Sequence, residues 1–303
     1  MTKVTYIVDF NSNEDYIDRV IKSLKELNGN FRKEYLLVNN QPTDKSVALI
    51  KKHAKDLRNS SIILGNKKSN QYGPISLAQG EYIKFINGNE ILDKNSTINL
   101  LDSLYKHGHR VAFGLQGVYQ NENYDKSPRF RIGSEKHVIT NPISTILSSK
   151  QSDGIICSSA SLFARDLLEE IAEPENEIYS QDISLIIKCA TKSDFVFCPE
   201  IISYKPSEIN KTNNEQTHLQ DTYNKMRAIR KLLDYDQVTA EKYKKEIYSA
   251  IIYAYWKFDK RNYYSFTKYL SSKLYVPNYS LDELKSLLDR MFKKKLFKFQ
   301  QSS

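Results

Sequence analysis

Along the first 120 residues, short apolar runs alternate with longer segments in which apolar side chains return every three or four positions. The runs predict strands over 4–10, 35–38, 61–64, 81–86 and 111–119. The periodic segments predict helices over 14–27, 44–57, 75–79 and 96–106. In the first of these Tyr16, Ile17, Val20, Ile21, Leu24 and Leu27 share one face. Strands separated by such helices build a mostly parallel sheet covered on both faces, an α/β, Rossmann-like arrangement. Sheets of this kind bind ligands at the carboxyl ends of their strands.

Past residue 120 the pattern loosens. Residues 120–134 are polar and contain Pro128, Arg129 and Arg131, which fits an exposed loop or a short antiparallel excursion. A strand is expected over 153–163, helices over 165–171 and 180–190, and a strand over 195–204 broken at Pro199. The polar stretch 205–217 holds Pro206, Asn210, Asn213 and Asn214, and helical patterns follow at 218–233, 240–258, 263–273 and 281–299. The implied division is an α/β domain over 1–206, a linker or lid over 207–221 and a helical region over 222–303.

A hydrophobic share of 40% with 27% charged residues is that of a soluble globular protein able to bury a core. No apolar run approaches the roughly 20 residues that span a bilayer. The opening MTKVTYIVDF enters a strand pattern without the charged and apolar regions of a signal peptide, so a cytoplasmic protein is expected. Cys157, Cys189 and Cys198 form no ligand pattern and read as reduced, buried thiols.

The net charge of +9 is unevenly placed: residues 1–221 carry 27 Lys plus Arg against 28 Asp plus Glu, and residues 222–303 carry 18 against 8. Anionic partners are therefore to be sought in the helical region. There Leu284, Leu287, Leu288, Met291, Phe292, Leu296 and Phe299 follow a helical period, with Lys285, Arg290, Lys293, Lys294 and Lys298 on the remaining surface. Such a face suits an anionic membrane surface along 281–299, which would place the protein peripherally at the inner face of the cell membrane. It equally suits packing on the first domain or on a second subunit of a homo-oligomer. No nucleic-acid-binding module is recognisable, and nucleic acid is not an expected partner.

Candidate chemistry gathers where the strands end. Strand 81–86 runs into Asn87-Gly88-Asn89-Glu90, a turn sequence at a ligand-binding edge. In order, the chain contains VTYIVDFN at 4–11, LVNNQPTD at 37–44, GEYIKFINGNE at 80–90, Gln181-Asp182 at a helix start and SDFVFCPEIISYKP at 193–206. Over residues 3–206 these segments resemble glycosyltransferase family 2, inverting enzymes of the A-type glycosyltransferase fold. Their counterparts there are the patterns VSIIIPxYN, VVDDxSxD and GEYIxFLDxDD, an ED pair, and a closing strand. The resemblance implies a nucleotide diphospho-sugar donor, first of all a UDP-sugar, and a glycan or glycolipid acceptor of a bacterial surface polysaccharide. It implies Asp182 as general base, and a donor site drawn from Asp9, Phe10, Asn11, Asn40, Lys68, Asn87 and Asn89.

Departures from the family pattern are chemically specific. The family's DxD carboxylates bind ribose and a divalent metal, Mn²⁺ or Mg²⁺, ions that prefer anionic oxygen ligands. Asn87 and Asn89 offer neutral amides there, which leaves Glu90 as the candidate metal ligand, with His218 a distant third position, and predicts a weakened or absent metal requirement. Asn39 and Asn40 replace the acids of the second motif, where the Asn40 carbonyl oxygen can still accept a hydrogen bond from uracil. Asp9 stands where the family has proline, and the family's arginine is missing from 70–78. Lys67, Lys68, Arg129, Arg131 and Lys205 are the cations available to meet a diphosphate. Asp182, following Ser180, also suits the first turn of a helix for electrostatic reasons alone. Two functional classes stay open: an active sugar transferase, and an inactive pseudo-glycosyltransferase that binds a glycan or a partner transferase.

Overall fold

A computed structural model of the chain describes residues 1–10, 14–39, 42–65, 72–120, 123–125, 135, 137–148, 156–171, 181–207, 214–258, 263–274 and 278–293. The strands are β1 (Lys3–Asp9), β2 (Arg32–Asn39), β3 (Ser60–Leu64), β4 (Tyr82–Asn87), β5 (Ile91–Leu92), β6 (Val111–Gln120), β7 (Asn123–Asp125), β8 (His137–Ile139), β9 (Ser161–Ala164) and β10 (Phe195–Pro206). They form one mixed sheet in the order β3-β2-β1-β4-β9-β6-β10-β5, with β7 added to β6 and β8 to β10. Pairing is parallel from β3 through β4 and between β6 and β10, and antiparallel at β9. Val4, Tyr6 and Val8 alternate with Thr5 and Ile7 along β1, and all five are buried, as a strand with both faces covered requires.

Helices α1 (Ile17–Lys25), α2 (Asp44–Ala54), α3 (Tyr72–Leu77), α4 (Ser96–His107), α6 (Arg165–Ile171) and α7 (Gln181–Lys192) accompany this sheet, α5 (Pro142–Ser148) belonging elsewhere. Helix α1 buries Ile17, Val20, Ile21 and Leu24, the face expected from its periodicity. Helix α2 is fixed by a capping box in which Thr43 accepts from the Ser46 backbone and Ser46 accepts from the Thr43 backbone. Helix α4 stops where Gly108 takes a left-handed φ of 69°.

Among the described residues of the strand expected over 153–163, which begin at Ile156, extended pairing is found at Ser161–Ala164, preceded by a single 3-10 turn at Ser158–Ala160. Small hydroxyl side chains there make local turns instead of extending the ladder; Ser161 Oγ donates to the Cys157 carbonyl at 2.6 Å. Pro199 does not end β10, which continues to Pro206 and absorbs the missing N–H as register shifts between Phe197 and Ser203. Strands β5 and β8 and helix α5 are additions that the hydrophobic pattern did not show.

The described chain divides into two compact units, residues 1–140 with 156–208, and residues 141–155 with 209–303. The second contains α5, α8 (Asn214–Tyr235), α9 (Gln237–Lys242), α10 (Lys244–Phe258), α11 (Tyr263–Leu274) and α12 (Leu281–Lys293). Two expectations are corrected. The linker or lid placed over 207–221 is helical from Asn214 onward, and the helix expected over 240–258 is two helices separated at Tyr243. Lys225 Nζ donates to the Ile146 and Leu147 carbonyls at 2.7 and 3.1 Å, so α5 is held by a cation at its carboxyl end.

The amphipathic face assigned to a membrane surface is used within this unit over residues 281–293. Leu284, Leu288 and Met291 are fully buried, and α12 packs on α8, α9 and α10. Lys285 pairs with Asp234 at 3.3 Å, and Asp289 accepts from Arg230 at 3.0 Å. Residues 294–299 lie outside the described residues. Among those described, no helix is long and apolar enough to cross a membrane. Leu288→Ala should cost about 3 kcal/mol of stability in urea denaturation, because it empties a filled site. A face in contact with lipid instead of protein would leave that stability in detergent-free buffer almost unchanged.

Candidate functional site

Register alone brings two of the expected positions together. Asp9 at the end of β1 sits beside Val38 of β2 on one side and Asn87 of β4 on the other. The Phe10 backbone N–H then bonds to the Val38 carbonyl at 2.9 Å, and the Gly88 N–H to the Asp9 carbonyl at 2.6 Å. Turn 87–90 is thereby drawn against β1. A Cβ on Gly88 would lie 2.5 Å from the Phe10 Cα and 2.6 Å from the Asp9 oxygen, both backbone atoms that cannot swing aside. Gly88→Ala should therefore displace the turn, costing about 2 kcal/mol by denaturation and weakening nucleotide affinity in calorimetry. Unchanged affinity would show that the turn is not part of the nucleotide site.

Glu90 follows the turn and is buried. Its Oε1 accepts from Asn87 Nδ2 at 3.0 Å and from Gln116 Nε2 at 3.2 Å. Gln116, on β6, also lies 3.2 Å from Ser159 Oγ and 3.3 Å from Ser203 Oγ, which ties the turn to the 158–160 segment and to β10. The Tyr119 hydroxyl, further along β6, donates to the Asn89 carbonyl at 2.9 Å. Burial pushes the Tyr119 phenol up to about 12, so it remains a donor at neutral pH.

Beneath this edge lies Lys84, fully buried in the middle of β4. Its Nζ donates to the carbonyls of Ser159 and Ser161 at 3.0 and 3.3 Å. Burial pulls its pKa from the usual lysine value down to about 7, while the nearby Cys157 and Glu90 oppose the shift.

On the second strand, Asn39 is buried and its Nδ2 donates to Ser46 Oγ at 2.8 Å, so this amide anchors the start of α2. Glu14 joins the same edge, accepting from Thr43 Oγ1 at 2.6 Å and pairing with Lys45 at 2.8 Å. Those two contacts hold its carboxyl below the ordinary glutamate range.

Of the expected site residues, Asp9, Asn87, Asn89 and Glu90 share this edge. The Phe10 ring belongs to the hydrophobic core, only 1% exposed, so what it offers at this edge is its backbone. Asn11, Asn40 and Lys68, with Lys67, Arg129 and Arg131, lie outside the described residues. Asp182 occupies the first turn of α7, and His218 lies in α8, but their side chains are likewise outside the described set. Lys84, Gln116, Tyr119, Ser159 and Ser203 were not anticipated. A lysine inside YIKFIN and a glutamine inside AFGLQGV were the available signals, polar residues at positions where an apolar strand should have none.

As a seat for Mn²⁺ or Mg²⁺ the turn is a poor match. Asn87 and Asn89 are neutral, and the Glu90 oxygen that faces Asn87 already receives two amide hydrogens. Among the described residues no three His, Cys, Asp or Glu side chains are grouped to hold a metal ion.

Comparison with known proteins bears on the sheet edge directly. The family model described as Glycosyl transferase family 2 matches residues 6–172, more than half the chain and nearly every element of this edge. A search of curated proteins found no match. Among solved structures, S. aureus TarS is similar over 97% of this chain with a TM-score of 0.63 and 16% identity. This chain covers 53% of that TarS chain, about half its length. S. aureus TarS 1–349 in complex with UDP-GlcNAc gives a TM-score of 0.55 at 11% identity, covering 96% of this chain and 92% of the other. The mannosyltransferase PcManGT from Pyrobaculum calidifontis, in complex with GDP-Man and Mn²⁺, gives 0.59 at 12% identity, covering 98% and 88%. At these identities the likeness speaks for the fold.

Proposed function

Since this chain belongs to glycosyltransferase family 2, we propose that it transfers a sugar from a nucleotide diphospho-sugar to a hydroxyl of a glycan or glycolipid, with inversion at the anomeric carbon. The observation that carries this reading is the alignment of Asp9, Asn87 and turn 87–90 at the carboxyl edge of the parallel strands, where such folds take a nucleotide. The resemblance adds Asn11, Asn40 and Lys68 around the nucleotide and Asp182 near the sugar. A UDP-sugar is the first donor to test. Solved neighbours carry UDP-GlcNAc and GDP-Man, so both nucleotide classes belong in the screen.

In the reaction the acceptor oxygen attacks the anomeric carbon from the face opposite the diphosphate. The new C–O bond forms as the bond to the diphosphate oxygen breaks, and the electron pair leaves with the nucleoside diphosphate. Asp182 takes the acceptor proton, a role for a carboxylate that is ionised at neutral pH.

The amides at 87 and 89 favour one second reading, a pseudo-glycosyltransferase that binds a glycan or a partner transferase without turnover. A thermal-shift screen of nucleotide-sugars, followed by mass detection of free nucleoside diphosphate, separates the two. Stabilisation by a donor together with released nucleoside diphosphate supports the transferase. Stabilisation without release, across acceptors, supports the second reading.

A further inference from the structure

The carboxylate of Glu90 can only accept hydrogen bonds, so the atom of Asn87 that lies 3.0 Å from it must be the amide nitrogen. A planar carboxamide then carries its oxygen away from Glu90, and Asn87 is exposed, so that oxygen is the group presented at the sheet edge. Gln116, anchored to Ser159 and Ser203, holds Glu90 from the other side. The Tyr119 hydroxyl and the Asp9 carbonyl fix the backbone of the turn at Asn89 and Gly88.

We propose that Glu90 is a positioning residue acting through Asn87: it turns the Asn87 carbonyl oxygen outward to accept a hydroxyl of the donor, in a nucleotide site that works without a divalent cation. The proposal rests on the donor-binding reading above and deepens it. An outward oxygen is an acceptor. It can receive a ribose or sugar O–H but offers nothing to phosphate oxygens, which are acceptors themselves. Asn87 therefore reads a hydroxyl, and the diphosphate must be met by other groups.

The pair also explains why aspartate, the family residue, would be wrong at position 87. Two carboxylates 3.0 Å apart, one of them on the buried Glu90, repel unless a cation or a shared proton lies between them. Asparagine over glutamate, with Gln116 as the second donor, satisfies the same geometry with one charge. Exchanging the two side-chain types should restore the match. In N87D/E90Q the introduced amide nitrogen stands where one Glu90 oxygen received both amides, so it donates one hydrogen to the introduced carboxylate and the other to a turned-over Gln116 oxygen, with the Ser159 and Ser203 hydroxyls free to change between accepting and donating.

The test is calorimetric titration of UDP and of GDP into the full chain, in EDTA and in Mn²⁺, with thermal denaturation alongside. For the native sequence the tighter-binding nucleotide should show Kd values within about 2-fold in the two media. N87D should bind at least ~10-fold more weakly in EDTA, with Mn²⁺ restoring part of the loss, and should melt at a lower temperature. N87D/E90Q should recover to within ~3-fold in EDTA and regain its melting temperature. Tightening of the native protein by more than ~10-fold in Mn²⁺ would overturn the proposal, as would a double variant no better than N87D. If the native protein binds neither nucleotide in either medium, the donor-binding reading itself falls, an outcome recognised from that first arm alone.

Discussion

Asp182→Asn is expected to lower kcat by about 10²- to 10⁴-fold while leaving nucleotide affinity and the folded state almost unchanged. Asparagine keeps the size and shape of the side chain, and one such exchange in the first turn of a twelve-residue helix leaves its formation intact. What it loses is the ability to take a proton from the acceptor hydroxyl. A purely structural acid would behave oppositely: losing its interaction with the helix dipole costs about 0.3–1 kcal/mol of stability and leaves turnover intact. The discriminating measurement is therefore the pair of kcat and melting temperature on one preparation. Low kcat at unchanged melting temperature supports the general base. Full turnover with a lowered melting temperature removes Asp182 from the chemistry.

Much of the sheet edge was legible because it depends on local, periodic signals. The run VTYIVDF gave a strand, and its parallel neighbours followed from the intervening helices; the resemblance drew Asp9 and Asn87 into one donor site, but that they pair in register is seen only in the sheet. What escaped depends on contacts between segments distant in sequence. Gln116 is 26 residues from Glu90 and 43 from Ser159, and nothing local in AFGLQGV announces that its amide will join them. Reading Glu90 as a metal ligand missed this network for the same reason: a carboxylate after a turn looks solvated until β6 covers it. The amphipathic helix from Leu281 shows a different limit. Its periodicity correctly gave a helix with one apolar face, but the pattern is identical whether lipid or protein covers that face; only the burial of Leu284, Leu288 and Met291 against neighbouring helices decides it. Strand β5 has only two residues, too short to register as a period of any kind.

Lys84→Met should abolish a rise in stability of the native chain between about pH 7 and pH 10.5. Below about pH 7 the Lys84 amine is protonated in both folded and unfolded states, and the cost of burying an ammonium is fully present. Between the folded value of about 7 and the unfolded value of 10.5, the unfolded chain holds a proton that the folded chain has released, so stability climbs with pH. Above that window both forms are neutral and the cost has gone. The full span is on the order of 5 kcal/mol, enough to dominate the pH dependence of a protein of ordinary stability. Other buried groups act in the opposite sense: burial raises the Cys189 thiol and the Tyr6 phenol, so each weakens the folded state at high pH. Those contributions are common to both proteins and cancel in the difference. Urea denaturation of the native chain and of K84M at pH 6 and pH 9.5 isolates the Lys84 contribution as that difference. A difference that stays flat would mean that the ammonium remains charged inside the sheet. The carbonyls of Ser159 and Ser161 and the charge of Glu90 would then outweigh its desolvation, and β4 would carry a permanent cation three residues before Asn87.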